Sequence, residues 1–296
     1  MKTFRMKIGA FGATVAVWVL LAAVPALAFG GSRVDSSSYV YKHVDGTDLT
    51  LDVYAPAVSS AGGKRYPAVI LFHGGAWKAG NRHQMRFQCL YFAARGMVAV
   101  TCDYRLMAKD ASLKDTQRIM CLIDAKSAVR WVKSHAASLH IDTGNIVLGG
   151  GSAGGQLATM VALDRDINDP ADDRSVSTRP QALVLFNPAY QLDDDPRLEP
   201  FRFAPGSFPP AIMFFGSKDH WKHAGDSCFR RLSRAGAPVQ MWVAPGQSHG
   251  FFNKQGWNSS TARQAASFLH AWGLCREVRE PSPEGYLLVR QPGAKD

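Results

Sequence analysis

Apolar residues fall along this chain in short blocks separated by polar or glycine-containing turns, and two spacings alternate. Residues 39–44 and 49–54 alternate apolar and polar positions around Asp45-Gly46-Thr47-Asp48, the pattern of a hairpin with one face buried. Tyr66–Phe72 is apolar throughout, as in a strand covered on both faces. Further extended runs occupy 97–102, 146–148, Ala182–Phe186, 211–215 and 239–243. Between them, apolar residues recur at helical spacing over 85–95 (closed by Gly96, a natural C-cap), 119–137, Ala153–Leu163, 224–235 and 261–274. A hairpin followed by alternating strands and helices predicts an α/β fold, one mostly parallel sheet with helices on both faces. Residues 164–180 read as a polar loop, and 191–210, with five prolines and Asp193-Asp194-Asp195, as a surface insertion. No internal repeat interrupts this order.

The first block stands apart. Lys2, Arg5 and Lys7 precede an apolar run, 8–28, that ends Ala26-Leu27-Ala28, the layout of a secretory signal peptide cut after Ala28. The run is nearly long enough to span a bilayer, so a retained anchor is the competing reading. The expected organisation is therefore a leader over 1–28, one folded domain over 29–275, and a weakly ordered polar tail over 276–296. Localisation would be secreted or periplasmic, with no stable membrane association after cleavage. Removing the leader lowers the net charge from +10 to +7, leaving 31 basic against 24 acidic residues. That excess is spread along the chain, so it reads as solvated surface and argues against a nucleic-acid partner. The five cysteines, 89, 102, 121, 228 and 275, all follow the leader. An odd count leaves at least one thiol; Cys102, in an apolar strand, is the expected buried one, and Cys89–Cys121 and Cys228–Cys275 are possible pairs. No cysteine or histidine spacing suggests a metal. The oligomeric state is not readable.

Four expected strand ends carry reactive or special groups, and in open sheets of this kind chemistry gathers at that edge. After the run 146–148, Gly150-Gly151-Ser152-Ala153-Gly154 fits G-x-S-x-G between a strand and a helix, the setting of a nucleophile elbow. A phosphate loop would want a lysine where Gln156 stands. Strand 66–72 ends in His73-Gly74-Gly75-Ala76-Trp77, strand 211–215 in Gly216-Ser217-Lys218-Asp219, and strand 239–243 leads to His249-Gly250-Phe251. Ser152, Asp219 and His249 thus occur in the order of a hydrolase triad. A serine hydroxyl needs a base to take its proton, and the base needs a carboxylate to fix its tautomer. The developing oxyanion needs N–H donors, worth about 3 kcal/mol each elsewhere; Gly74, Gly75 and Ala153 are the candidates. Asp226 and Asp193–Asp195 compete with Asp219, and His220 and His223 with His249. His73 reads as a structural support of the glycine loop. Trp77 is either core or pocket wall, and Trp221 and Phe251 are further pocket candidates.

On these motifs, together with Asp103-Tyr104-Arg105, the chain over 39–274 resembles the α/β-hydrolase superfamily. The HGGxW form is similar to esterases and lipases of the hormone-sensitive-lipase type and to acetyl-xylan and feruloyl esterases. The resemblance implies Ser152, Asp219 and His249 as the triad, Gly74, Gly75 and Ala153 as the oxyanion hole, a bracing role for Asp103-Tyr104-Arg105, and no cofactor. Hormone-sensitive-lipase relatives usually carry a cap built from a long segment before the first strand. Only about ten residues separate Ala28 from Tyr39, too short a helix to form one. An open site follows, overhung chiefly by 191–210 and also by 164–180, suited to small-molecule or polysaccharide-linked acetyl or feruloyl esters. A formamidase, an exopeptidase and a non-catalytic hydrolase-fold binding protein are the alternatives.

Overall fold

The computed structural model describes residues 27–29, 32–57, 63–112, 116–191 and 195–293. The expected leader lies outside these except for its last residues, which belong to a short strand, β1 (Leu27–Phe29). Strands β2 (Ser32–Val44) and β3 (Thr47–Pro56) form the expected hairpin. Its turn is tighter than the four polar residues suggest. Asp45 and Gly46 alone make it, both left-handed at φ 51 and 71, while Thr47 and Asp48 already pair with Val44 and His43.

β4 (Tyr66–Phe72), β5 (Val98–Cys102), β6 (Ile141–Gly151), β7 (Ala182–Phe186), β8 (Ala211–Gly216) and β9 (Val239–Ala244) supply the parallel part of the sheet. With β10 (Val289–Arg290) the order is β1-β2-β3-β5-β4-β6-β7-β8-β9-β10. The two-residue side-chain period sends Ala68, Ile70 and Phe72 to one face, with helices α2 (Arg118–Ser134), α3 (Ala153–Leu163) and α4 (Lys222–Arg234). Val69 and Leu71 go to the other, with α1 (Arg86–Ala93) and α5 (Trp257–Ala271). The sheet is apolar on both faces because both are covered. Among the described residues, no helix is long and apolar enough to cross a membrane.

This layering settles the cysteines. All five are free. Cys89 belongs to the α1/α5 face and Cys121 to the α2/α3/α4 face, and Cys228 and Cys275 are divided in the same way. The sheet stands between the members of each supposed pair, so neither pair can close. Cys102 is buried, as expected. Burial pushes the thiols of Cys121, Cys228 and Cys275 up to about 12, which keeps them protonated and unreactive.

Two other segments also differ from their sequence reading. Leu198 and Pro200 within 191–210 are buried, and the Gln156 side chain on α3 donates to the Leu198 carbonyl at 2.9 Å. The segment is docked on the body, because buried apolar anchors, Phe208 among them, outweigh its polar composition. The stretch after Cys275, read as a weakly ordered tail, is described through Gly293 and packs back on the sheet. Glu280 is held by Tyr91 and Arg95, Tyr286 meets Trp257 edge-on at 5.4 Å, and β10 pairs with β9.

Burial pushes the Glu280 carboxyl up, but the Tyr91 hydrogen bond and the Arg95 charge outweigh it and hold the group below its ordinary range. A depressed carboxyl stabilises the folded state above its unfolded pKa, and that contribution is lost as pH falls through the folded value. Acidification should therefore release the segment after 275 to limited proteolysis before the body unfolds. Glu280→Gln should release it at neutral pH; equal protection in variant and wild type would contradict the clamp.

Candidate active site

The elbow is built by close backbone packing. β6 ends at Gly151 and α3 begins at Ala153, and Ser152 between them has a φ of 52 and ψ of −117, outside the helical and extended regions. Holding a non-glycine residue there costs about 1–3 kcal/mol, which the surroundings must outweigh. The Ser152 N–H donates to the Phe186 carbonyl at 2.9 Å, and its own carbonyl accepts from Gly155, Gln156 and Ala189. A Cβ on Gly154 would sit 2.0 Å from the Phe72 carbonyl oxygen, so only glycine lets α3 rest on β4. Ser152 makes no side-chain cap for α3, and its hydroxyl is turned elsewhere.

It is turned to His249. The Nε2 atom of His249 lies 2.7 Å from Ser152 Oγ, and Nδ1 lies 2.9 Å from Asp219 Oδ2 and 3.0 Å from Oδ1. A carboxylate only accepts, so Nδ1 carries the ring proton and Nε2 is left to accept from the serine hydroxyl. Asp219 follows β8; its side chain is wholly buried, and Oδ1 also accepts from the Trp221 N–H at 2.9 Å. The three side chains, far apart in sequence, form one hydrogen-bonded series at the carboxyl edge of the sheet.

The rivals are placed elsewhere. Lys222 takes both oxygens of Asp226 on α4, and Arg197 takes Asp195; Asp193 and Asp194 lie outside the described residues. His223 is exposed on α4. His220 is exposed beside the site, its ring 5.1 Å from that of His249 and its Nδ1 4.0 Å from Asp219.

The glycine loop stands over the elbow. The His73 ring stacks on Tyr104 at 4.2 Å and its Nδ1 donates to the Gly74 carbonyl at 2.8 Å. Burial lowers the His73 pKa, with the Gly74 hydrogen bond and Asp103 opposing, so the ring is a neutral support. The Tyr104 hydroxyl donates to the His73 carbonyl at 2.9 Å, and Asp103 accepts from the backbone and guanidinium of Arg82. Arg105, third of that motif, braces something else: it pairs with Asp124 on α2 and Asp45 of the hairpin turn. Gly75 has φ 126, and a Cβ there would meet the Ala79 carbonyl oxygen at 2.0 Å. The Gly74 N–H, one of three expected oxyanion donors, already donates to the side-chain carbonyl of Gln84 at 2.6 Å.

A family model described as BD-FAE matches residues 51–183. Carboxylesterase NlhH of Mycobacterium tuberculosis (strain CDC 1551 / Oshkosh) is 29% identical over 241 residues, spanning 70% of this chain and 72% of the relative. Carboxylic ester hydrolase LipN of M. tuberculosis (strain ATCC 25618 / H37Rv) is 26% identical over 251 residues, spanning 71% of this chain and 65% of that one. The propionate-bound structure of Est2, an esterase from Thermogutta terrifontis, superposes with a TM-score of 0.75 at 33% identity, covering 82% of this chain and 97% of that one. The chain belongs to the α/β-hydrolase esterases.

In this esterase a cleft of about 380 Å³ opens above Ser152, walled by Trp77, Gln84, Ala189, His220, Trp221 and Phe252 among others. Trp77, left open between core and wall, is both: fully buried, yet facing the cleft. Trp221 lines the cleft as expected. Phe251 does not. It is buried on the α1/α5 face, edge-on to Trp257 at 5.6 Å, and its neighbour Phe252 turns to the cleft instead. The 3₁₀ turn Phe251–Asn253 reverses the two rings, and Phe252 lies where any Cβ on Gly151 would strike it. None of the described residues of 191–210 or 164–180 lines the cleft, so the expected overhang is absent among them. Residues 164–180 are tied to α2 instead, through Arg130 to Asp172 and Lys126 to Asp164.

Proposed function

We propose that this esterase works by acyl transfer through Ser152, with His249 as base and Asp219 as its orienting carboxylate, on short-chain or carbohydrate-linked acyl esters outside the cytoplasm. The observation that carries the mechanism is the unbroken series Ser152 Oγ–His249–Asp219. Ser152 Oγ attacks the ester carbonyl carbon as His249 Nε2 takes its proton. The tetrahedral intermediate collapses when Nε2–H protonates the departing alcohol oxygen, leaving an acyl-serine. Water, deprotonated by the same nitrogen, attacks that acyl group and releases the acid. Asp219 stabilises the imidazolium formed in each half.

The oxyanion is received by the N–H groups of Gly75 and Ala153, with the Gly74 N–H shared between it and Gln84. Glycine at 74 supports this role, since a Cβ there would lie 3.2 Å from the Ser152 Cβ, leaving no room for substrate. The small aromatic-walled cleft favours short acyl groups, and the Thermogutta esterase is known in propionate- and butyrate-bound forms. Export rests on the Lys2, Arg5, Lys7 and Ala26-Leu27-Ala28 pattern.

A panel of p-nitrophenyl, glyceride, acetylated-xylan and feruloylated-sugar esters, with formyl-kynurenine as the amide comparison, tests the substrate class. Acetate to butyrate esters should be turned over fastest, and a preference for long-chain glycerides or for formyl-kynurenine would overturn the reading. Trp221→Ala should widen the cleft mouth and raise the kcat/KM ratio of octanoate over acetate ester on the order of tenfold. An unchanged ratio would remove Trp221 from the pocket.

A further inference from the structure

Asn187 combines a buried, unpaired amide oxygen with a left-handed backbone beside the site. It follows β7, the strand between those that carry Ser152 and Asp219. The residue is fully buried, its backbone is left-handed at φ 39, and its N–H donates to the Phe214 carbonyl at 2.7 Å. Its side-chain Oδ1 is buried without a hydrogen-bond partner. An unpaired buried amide oxygen and a strained backbone are each unfavourable, and such features persist where a site requires them.

What the amide faces is the ring of His249. Nδ2 of Asn187 lies 3.3 Å from Nδ1 and 3.4 Å from Nε2. An atom nearly equidistant from both ring nitrogens must lie over the ring face, because in the ring plane it would collide with the carbon between them. Both in-plane directions are already taken, by Asp219 and Ser152. Among the described residues, the titratable groups facing the ring are Asp219 from the loop after β8 and His220 beside it, with the Ser152 hydroxyl from the elbow.

We propose that Asn187 is a positioning residue for the catalytic base: its amide packs on the face of the His249 imidazole and fixes the plane in which Ser152 and Asp219 are both reached. The inference rests on the triad reading above. Without the amide the ring tilts, and proton transfer slows while substrate binding is unaffected. A carboxylate in the same place would add a second negative charge beside Asp219 and favour the protonated ring.

The test measures kcat, KM and the acid limb of kcat/KM on p-nitrophenyl acetate for the full chain carrying Asn187→Ala or Asn187→Asp, with melting temperature as the check on folding. Asn187→Ala should lower kcat about tenfold or more with KM nearly unchanged, as expected for a group that acts only on the proton-transfer step. It should also slow phosphorylation by paraoxon by a similar factor. Asn187→Asp should move the acid limb to higher pH by about one unit. If Asn187→Asp does not fold, the split between kcat and KM in Asn187→Ala decides alone. A folded Asn187→Ala with wild-type kcat, beside an inactive His249→Ala, overturns the assignment. A fully active His249→Ala would instead overturn the triad reading on which it rests.

Discussion

Ser152→Ala should lower turnover by about 10⁶-fold while leaving the protein folded, since removal of a triad nucleophile alone costs nearly as much as removal of the whole unit. The side chain makes no cap for α3, and its hydrogen bond to His249 is a single, partly exposed one. Its loss should change stability by no more than about 1 kcal/mol. The strain at φ 52 is a property of the turn and stays with alanine. His249→Ala should be nearly as damaging, and Asp219→Asn should cost about 10⁴-fold by presenting the wrong tautomer. Turnover retained by Ser152→Ala would mean another nucleophile. Retained turnover in His249→Ala would point to His220, the other ring beside Asp219.

The second large effect is on the fold. Gly154→Ala should lower stability by about 3 kcal/mol or more, at the upper end of overpacking costs, because the obstacle is backbone. The added Cβ would meet the carbonyl oxygens of Phe72 at 2.0 Å and His73 at 2.5 Å. Neither can rotate away. Phe72 is the last residue of a central strand, and the His73 carbonyl is already held by Tyr104. Relief requires α3 to lift from β4, which separates Ser152 from the glycine loop, so any folded remnant should also be inactive. Gly206→Ala is the control: nothing lies within 4 Å of its Cβ position and its φ is not left-handed. Melting temperatures of the two variants, with soluble yield and specific activity, check the contrast. Equal stability in both would mean that the contact at Gly154 is not tight.

Much of this architecture is readable from spacing alone, because its strands are buried on both faces and its turns carry strong local signals. Tyr66–Phe72, Ala182–Phe186 and Ala153–Leu163 have the boundaries that their apolar runs imply. The three members of the hydrogen-bonded series follow from their places at strand ends, since parallel strands bring all carboxyl ends to one edge. β6 is longer than its apolar core at 146–148, because pairing with β4 from Ile141 and through Gly150 extends it over residues with no apolar signal.

What composition hides is long-range partnership. The tail after 275 is polar, and its anchors, Glu280 to Tyr91 and Arg95 and Tyr286 to Trp257, lie far away in sequence where no period reveals them. Cysteine count carries no information about which face of a sheet each thiol occupies. Phe251 and Phe252 are adjacent and chemically alike, so only the turn geometry decides which lines the cleft. Gln84 and Asn187 have no motif; Gln84 could be found only through the loop whose N–H it accepts, and Asn187 only through its place after the strand beside the elbow.

The central claim is that Ser152 is the acylated residue. Intact-mass and peptide mass spectrometry after incubation with paraoxon tests it most directly, since the Thermogutta esterase has been obtained phosphorylated by the same compound. The expected result is one diethylphosphoryl group per chain, on the peptide containing Ser152, with esterase activity lost in proportion and no adduct on Ser152→Ala. An adduct at another residue, or full activity with Ser152 modified, would contradict it.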